Sequence, residues 1–434
     1  MNSETSIVKL KKAPPYRYLV FVMYLLAYIL LHAGTQCIAS MGTQLMDATG
    51  IGEAKLSVMS TSATIALAVT SFLVGPLAMK IGNKRATLVG LGLEMFSGVL
   101  YLLGPKSFAF ICLIRVIQGI GIGVVQTVNM TVQAVWWPKR QRAFANGLQS
   151  MFFGIALSGV TAYVFAMTNA GFQWYQSAGL MMLVGCGVVF LLIALLYKDL
   201  ETKYGVSIID DAIESSEPVA VSSEKEEKAA VKELFKRAGS YKEMWRNPAC
   251  RWTFALGIFY CSSFWGFNMV FPLFLSRMGF SAAESTAIQS LTFIAHISSP
   301  LGGIISDRVF KGHRTDITFI ALGGAAVLYA VFTGAVSTGA SIPVLTAICF
   351  AAYFIMSMAG GAMWLVPVEI VKPQFSTQMM GTTILFANLV AAGVQILDGV
   401  LMQNVSPYAG MYVTIFTLAA EAFCAIMMRK KYNA

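Results

Sequence analysis

Charge is scarce in this chain. Asp, Glu, Lys and Arg make up 12% of its 434 residues against 57% hydrophobic, and histidine occurs three times. No water-soluble core needs that much apolar surface, so a soluble globular protein is excluded in favour of one that crosses a bilayer repeatedly. Catalytic patterns are missing too. There is no nucleophile–base–orienter set, no metal-ligand cluster and no phosphate-binding glycine loop of the Gly-x-x-x-x-Gly-Lys-Ser/Thr type. Those absences argue against an enzyme and against an ATP-driven pump, and they call for no cofactor and no metal. The seven cysteines (Cys37, Cys112, Cys186, Cys250, Cys261, Cys349, Cys424) form no Cys-x-x-Cys or Cys/His spacing and suit small apolar packing. No aromatic–basic recognition motif accompanies the net charge of +10, so nucleic acid is not an expected partner.

What the chain does have is long apolar runs, with a mean hydropathy of +0.68. Unpaired backbone cannot sit in hydrocarbon, and the runs are too long for barrel strands, so the expected fold is all-α and polytopic. Twelve spans are expected near 18–44, 56–79, 85–104, 107–134, 143–168, 174–197, 252–276, 284–306, 316–337, 341–368, 378–403 and 407–428. They divide into a tail (1–17), a six-helix bundle (18–198), a linker (199–250), a second six-helix bundle (251–428) and a tail (429–434). Of 31 Lys and Arg, only Lys55, Lys106 and Arg277 fall in loops on one side, and Arg115 lies within a span. The crowded face, with both termini and the linker, should therefore be cytoplasmic in a cell inner membrane. No cleavable signal pattern precedes the first span. In the linker, mixed charge up to Glu224-Lys-Glu-Glu-Lys reads as disordered, whereas Ala229 to Arg246 reads as a short helix on the membrane surface or a plain solvated tether.

The two halves repeat. Gly303-Ile-Ile-Ser-Asp-Arg308 ends the second span of the second half, and a degraded copy, Gly75 to Arg85, ends the second span of the first. Gly50-Ile-Gly-Glu opens one of those spans and Gly279-Phe-Ser-Ala-Ala-Glu opens the other, the latter with a Ser281/Glu284 capping box. Trp137-Pro-Lys-Arg140 before span five is answered by Val371-Lys-Pro373 before span eleven. Internal symmetry of this kind marks secondary carriers, with the binding site near the midplane between the halves.

Polar residues in four spans fall on single faces. Tyr24, Tyr28, His32 and Gln36 recur at i+4 on span one, with Thr35 beside them. Arg115, Gln118, Gln126, Asn129 and Gln133 run down span four; Tyr260, Phe264 and Asn268 align on span seven beside Trp265; Tyr353, Ser357, Gly360 and Trp364 align on span ten. Facing lipid, each polar group would cost several kcal/mol, roughly, so these faces should meet water, solute or another helix. Any single amide or tyrosine could instead bond between helices. Glu94 and Arg115 lie at matched depths on consecutive antiparallel spans, which suggests a counter-charge pair that exchanges a proton or a static structural pair. Asp398 and Glu421 read as structural.

The basic turns and Arg115-Val-Ile-Gln-Gly-Ile-Gly121 on span four resemble the major facilitator superfamily over nearly the whole chain. The resemblance implies that spans one, four, seven and ten line a cavity, placing Tyr28, His32, Gln36, Arg115, Gln118, Gln126, Asn129, Tyr260, Trp265, Asn268, Tyr353 and Trp364 as solute contacts. It also implies that the basic turns (Lys80, Arg85, Asp307, Arg308, with Arg142 opposite) latch the cytoplasmic side. Met79 stands where the family has Asp, so the two latches should be unequal. The family's default state is a monomer in the lipid bilayer. The family's proton–sugar carriers often have a carboxylate in span one and its multidrug antiporters a Gly-Pro in span five; this chain has neither. Tyr241-Lys-Glu-Met-Trp-Arg-Asn-Pro248 is similar to carboxylate-transporting branches. With Arg115 and His32 in the cavity, the expected function is secondary transport of a small organic anion coupled to protons. Carriage of a neutral sugar or nucleoside, drug export and a non-transporting sensor are the alternatives.

Overall fold

The computed structural model describes residues 13–137, 139–204, 241–310, 313–371 and 376–432. Over these the chain is all-α, with twelve helices long and apolar enough to cross a membrane. They are α1 (Tyr16–Ser40), α2 (Glu53–Ile81), α3 (Asn83–Leu102), α4 (Phe108–Trp136), α5 (Lys139–Asn169), α6 (Trp174–Leu196), α7 (Pro248–Arg277), α8 (Ala282–Ser306), α9 (Arg314–Ser337), α10 (Ile342–Met363), α11 (Ser376–Asn404) and α12 (Ala409–Tyr432). Each overlaps its expected span. Large apolar side chains such as Val89, Leu195, Val327 and Phe416 stay exposed on the outside, where lipid would cover them. Charges inside the spans point inward: Glu94, Asp398 and Glu421 are 0% exposed and Arg115 is 1% exposed.

Local chemistry sets the helix ends. The Ser281–Glu284 capping box is formed at α8, with the Ser281 N–H donating to Glu284 Oε2 at 2.8 Å and the Glu284 N–H to Ser281 Oγ at 3.3 Å. At α7, Asn247 accepts from the Ala249 N–H at 2.9 Å while Pro248 occupies the first turn, where its missing N–H costs nothing. The repeated glycines Gly50 and Gly279 both take positive φ, 69° and 84°, so the two halves enter α2 and α8 through the same left-handed turn. Two helices deviate inside. A π segment, Met181–Gly185, interrupts α6, and a 3₁₀ segment, Ala295–Ser298, interrupts α8. The second has a cause in the sequence: Pro300 has no N–H for the His296 carbonyl, so the helix tightens before it.

Helices α1–α6 and α7–α12 pack as two lobes joined through two helix pairs. One is α2 along α11, the other α5 along α8 with α10 beside it. Under the internal repeat α2 corresponds to α8 and α11 to α5, so the two seams are copies of one contact. Close approach needs small residues. A Cβ at Gly399 on α11 would stand 1.9 Å from Ser57 Oγ on α2, and one at Gly154 on α5 would stand 2.2 Å from the His296 ring on α8. Between the lobes in sequence, the chain is helical at Leu200–Tyr204, inside the expected linker, and at Tyr241–Arg246, the end of the expected surface helix. Met244 is fully buried there and Trp245 packs on Phe254 and Phe386 at 5.0 and 5.5 Å. The rest of that expected helix, from Ala229 on, lies outside the described residues.

Candidate functional site

A cavity of about 90 Å³ lies between the lobes, room for several waters at roughly 10–15 Å³ each. Its lining comes from Tyr28 and His32 of α1, Gln126 and Met130 of α4, and Asn146, Gln149, Ser150 and Phe153 of α5. The other lobe supplies Tyr260, Cys261, Phe264 and Trp265 of α7, His296 and Ser299 of α8, Met356, Ser357 and Gly360 of α10, Trp364 just after it, and Ile384 and Asn388 of α11. On α4, α5, α10 and α11 these positions fall in the halves nearer the chain termini. The opposite end is held shut across the lobes. Arg277 at the end of α7 meets Glu53 at the start of α2 at 2.7 Å through both Nε and Nη2. Beside it the Ala54 N–H donates to Gln403 Oε1 at 3.1 Å, and deeper in the seam Thr64 donates to Gln395 at 3.3 Å.

Among the described residues the lining contains no Asp, Glu, Lys or Arg. It is instead an aromatic box carrying amides and two imidazoles. His32 stacks on Trp265 (5.6 Å between centroids, 27° between planes) and meets Tyr28 and Phe153 edge-on at 4.6 and 5.2 Å. Neither His32 nitrogen has a hydrogen-bond partner among the described residues. His296 comes from the other lobe and packs on Phe153, Phe264 and Tyr353 at 5.9, 6.3 and 4.8 Å, with its Nδ1 3.2 Å from the Phe293 carbonyl. Tyr260 and Phe264 lie parallel, and Tyr260 meets Trp364 edge-on at 5.6 Å. Gly360 fits beneath the Tyr260 hydroxyl, 3.4 Å from where a Cβ would stand. Such a surface can stack on a ring and exchange hydrogen bonds with hydroxyl or carboxyl groups.

Of the residues read from sequence as solute contacts, Tyr28, His32, Gln126, Tyr260, Trp265 and Trp364 meet in this cavity. The other six lie elsewhere, each for a visible reason. Arg115 and Gln118 turn into the N-terminal lobe: Arg115 Nη1 donates to Gln118 Oε1 at 2.9 Å, Tyr101 donates to the same oxygen at 3.2 Å, and the Gln118 amide reaches Met182 Sδ at the π segment of α6. Gly34 on α1 leaves the space for that amide, 3.2 Å from a would-be Cβ. Gln36 donates to Ser40 at 3.3 Å, Asn129 accepts from Gln133, which also bonds Gln149 across to α5, and Asn268 donates to its own helix at Phe264. Tyr353 is fully buried behind His296, among Phe267 and Phe293.

Glu94 shares the Arg115–Gln118 neighbourhood, and among the described residues it forms no ion pair with Arg115; its carboxyl group lies beside the Gln118 amide. The expected counter-charge is thus a proximity inside one lobe rather than a salt bridge. Of the latch residues, Arg85 and Arg308 are exposed, and the side chains of Lys80, Arg142 and Asp307 lie outside the described set. The sequence reading named no solute contact on α5. Asn146, Gln149, Ser150 and Phe153 follow a three-and-four spacing that marks a face as clearly as those on α1 and α4.

The Major Facilitator Superfamily model matches residues 24–428. The chain belongs to that superfamily. Among its relatives, the hexuronate transporter of Bacillus subtilis is 22% identical over 403 residues, 88% of this chain and 87% of that one. The probable sulfoacetate transporter SauU of Cupriavidus necator is 22% identical over 406 residues, covering 90% and 89%. Among solved structures, a D-xylose–proton symporter superimposes with a TM-score of 0.71 at 16% identity, covering 96% of this chain and 98% of that one. The proton:xylose symporter XylE bound to 6-bromo-6-deoxy-D-glucose gives the same score and identity, at 96% coverage of both. This superfamily protein is therefore a multi-pass membrane transporter, not an enzyme.

Proposed function

We propose that this superfamily member is a secondary carrier that moves a small organic anion, together with a proton, across the cell membrane, with both termini on the cytoplasmic side. The observation that carries the reading is the central cavity between two repeated lobes, closed at one end by the Glu53–Arg277 ion pair. A carrier needs a site that either end can close around, and rocking of the lobes about the α2–α11 and α5–α8 seams supplies that motion. The anion class is supported by the names of two relatives, a hexuronate and a sulfoacetate transporter, since both solutes are anions. Arg115 no longer contributes to that argument, because it lies outside the cavity lining. Tyr28, His32, Gln126, Tyr260, Trp265 and Trp364 are the proposed solute contacts, joined by Gln149, Phe153 and His296.

One observation favours a second reading, a neutral sugar: the lining is uncharged among the described residues and rich in amide and indole groups. A thermal-shift screen of the purified protein against carboxylates, sugars and nucleosides separates the two. Stabilisation by uronates or sulfonated carboxylates, with none by the matching neutral sugars, supports the anion reading; the reverse pattern replaces it.

A further inference from the structure

An anion entering this cavity meets no fixed positive charge on any described residue, which poses a problem of charge. A bare carboxylate moved from water into an aromatic box is strongly disfavoured, and so is a lone imidazolium. Paired and hydrogen-bonded, the two stabilise each other. Among the described residues, the only lining groups whose ordinary protonation equilibrium lies near neutral pH are the two imidazoles, His32 and His296. They come from opposite lobes and flank one phenyl ring, that of Phe153, at 5.2 and 5.9 Å.

The two imidazoles are not equivalent. His32 is 2% exposed with both nitrogens unpartnered among the described residues, so it can gain a proton and present it without breaking any bond to them. His296 is fixed by Pro300, which tightens its turn, by Gly154, which leaves no space behind its ring, and by the Phe293 carbonyl 3.2 Å from Nδ1. With its hydrogen on Nδ1, that imidazole offers Nε2 as an acceptor.

We infer that His32 and His296 form a two-ended clamp for a hydroxylated monocarboxylate: His32 is protonated together with the anion and pairs with the carboxylate, while His296 accepts a hydrogen bond from a solute hydroxyl. Solute and proton then bind as one neutral unit and bridge the two lobes. The proton comes from solvent, forms the second N–H of His32 and leaves when the carboxylate does. The inference rests on the anion reading given above.

The groups around the clamp do not compete for this role. Facing His32 are Tyr28 of α1, Phe153 of α5 and Trp265 of α7; facing His296 are Phe153, Phe264 of α7 and Tyr353 of α10. The titratable neighbours are thus tyrosines and, in the lining, Tyr260 and Cys261, all ordinarily neutral at pH 7. The buried charges lie behind the walls. Glu421 of α12 accepts from Ser263 of α7, Asp398 of α11 stands against Gly266 of α7 next to Trp265, and Glu94 and Arg115 lie within the N-terminal lobe; none of the four is in the lining.

Reciprocity fixes the sign of the pH effect: if anion binding draws a proton onto His32, protonation strengthens anion binding equally. Between titration of the empty site and of the occupied site, each unit rise in pH weakens anion affinity about tenfold. Isothermal titration of the full-length protein with D-glucuronate, in two buffers of different ionisation enthalpy between pH 6 and 8, measures both quantities. The expected result is about one proton taken up per anion bound, with that slope. His32→Gln should remove both, whereas His296→Phe should weaken affinity about tenfold or more with proton uptake intact, as loss of one hydrogen bond to a buried acceptor implies. Should a variant fail to fold, carbethoxylation of His32 in the unaltered protein, read by mass spectrometry, must be blocked by D-glucuronate. Binding that is independent of pH with no proton taken up overturns the inference and leaves the anion reading standing. Proton uptake that survives in folded His32→Gln, or His32 modified regardless of D-glucuronate, also overturns it. Binding of D-glucose in place of D-glucuronate, or of neither, removes the anion reading and the inference with it.

Discussion

At the scale of single residues, Arg115 shows that a buried charge need not face the cavity between the lobes. A cation 1% exposed in a membrane span looks like a solute contact, yet its guanidinium is taken up by Gln118 inside one lobe. That placement gives it a part in holding the lobe together. Arg115→Ala removes a charged donor from Gln118 and empties a packed volume, and thermal unfolding should show a loss of roughly 2–4 kcal/mol. Glu94→Gln is expected to behave oppositely. It replaces a fully buried carboxyl group, which forms no ion pair among the described residues, with a neutral group of the same shape that can still meet the Gln118 amide, so stability should stay within about 1 kcal/mol or rise. A large loss on Glu94→Gln, measured in the same unfolding assay, would mean that the carboxylate is paired after all. The helix stripes made these residues legible as inward-facing, because the 3.6-residue period separates lipid from interior. Periodicity says nothing of which inner neighbour a side chain meets, and Gly34, which admits the Gln118 amide from α1, gives no sign of that in the sequence.

At the scale of elements, all twelve spans and the repeat between halves were readable, since hydropathy over some twenty residues and paired glycine turns are strong signals. The seams were not. That α2 lies along α11 and α5 along α8 follows from how the lobes dock, and so α5 and α8 bring Gln149, Phe153 and His296 to a cavity expected from four other helices. The tight contacts make a prediction about motion. Gly399→Ala would place a Cβ 1.9 Å from Ser57 Oγ and wedge α11 from α2 on the end now closed. The expected outcome is greater access from that end, read as faster alkylation of a cysteine introduced at Thr61; an unchanged rate would mean the seam does not open there. The Glu53–Arg277 pair should act in the same direction more weakly. Arg277 is 51% exposed, so the pair is worth about 0.2–1 kcal/mol, and Glu53→Gln should shift the same labelling rate up to about fivefold. Exchanging the two charges should restore the original rate.

At the scale of the whole molecule, two lobes with matching seams enclose an aromatic cavity that carries no charged side chain among the described residues and that one end closes over. Two repeated lobes around a central site suit the transport role of the superfamily, in which lobes rock about a site near the midplane. Membership of the superfamily and the twelve-span architecture were both visible in the sequence, through the basic turns and the span-four motif. The solute was not, because specificity resides in a few side chains whose meeting depends on docking. The most direct test of the account is uptake of labelled D-glucuronate into proteoliposomes of the purified protein under an imposed pH gradient. The account requires accumulation above protein-free vesicles when the outside is acidic, collapse of that accumulation when the gradient is dissipated, and competition by excess unlabelled uronate. Flux no greater than in empty vesicles, or uptake indifferent to the gradient and competed by neutral D-glucose, would contradict it.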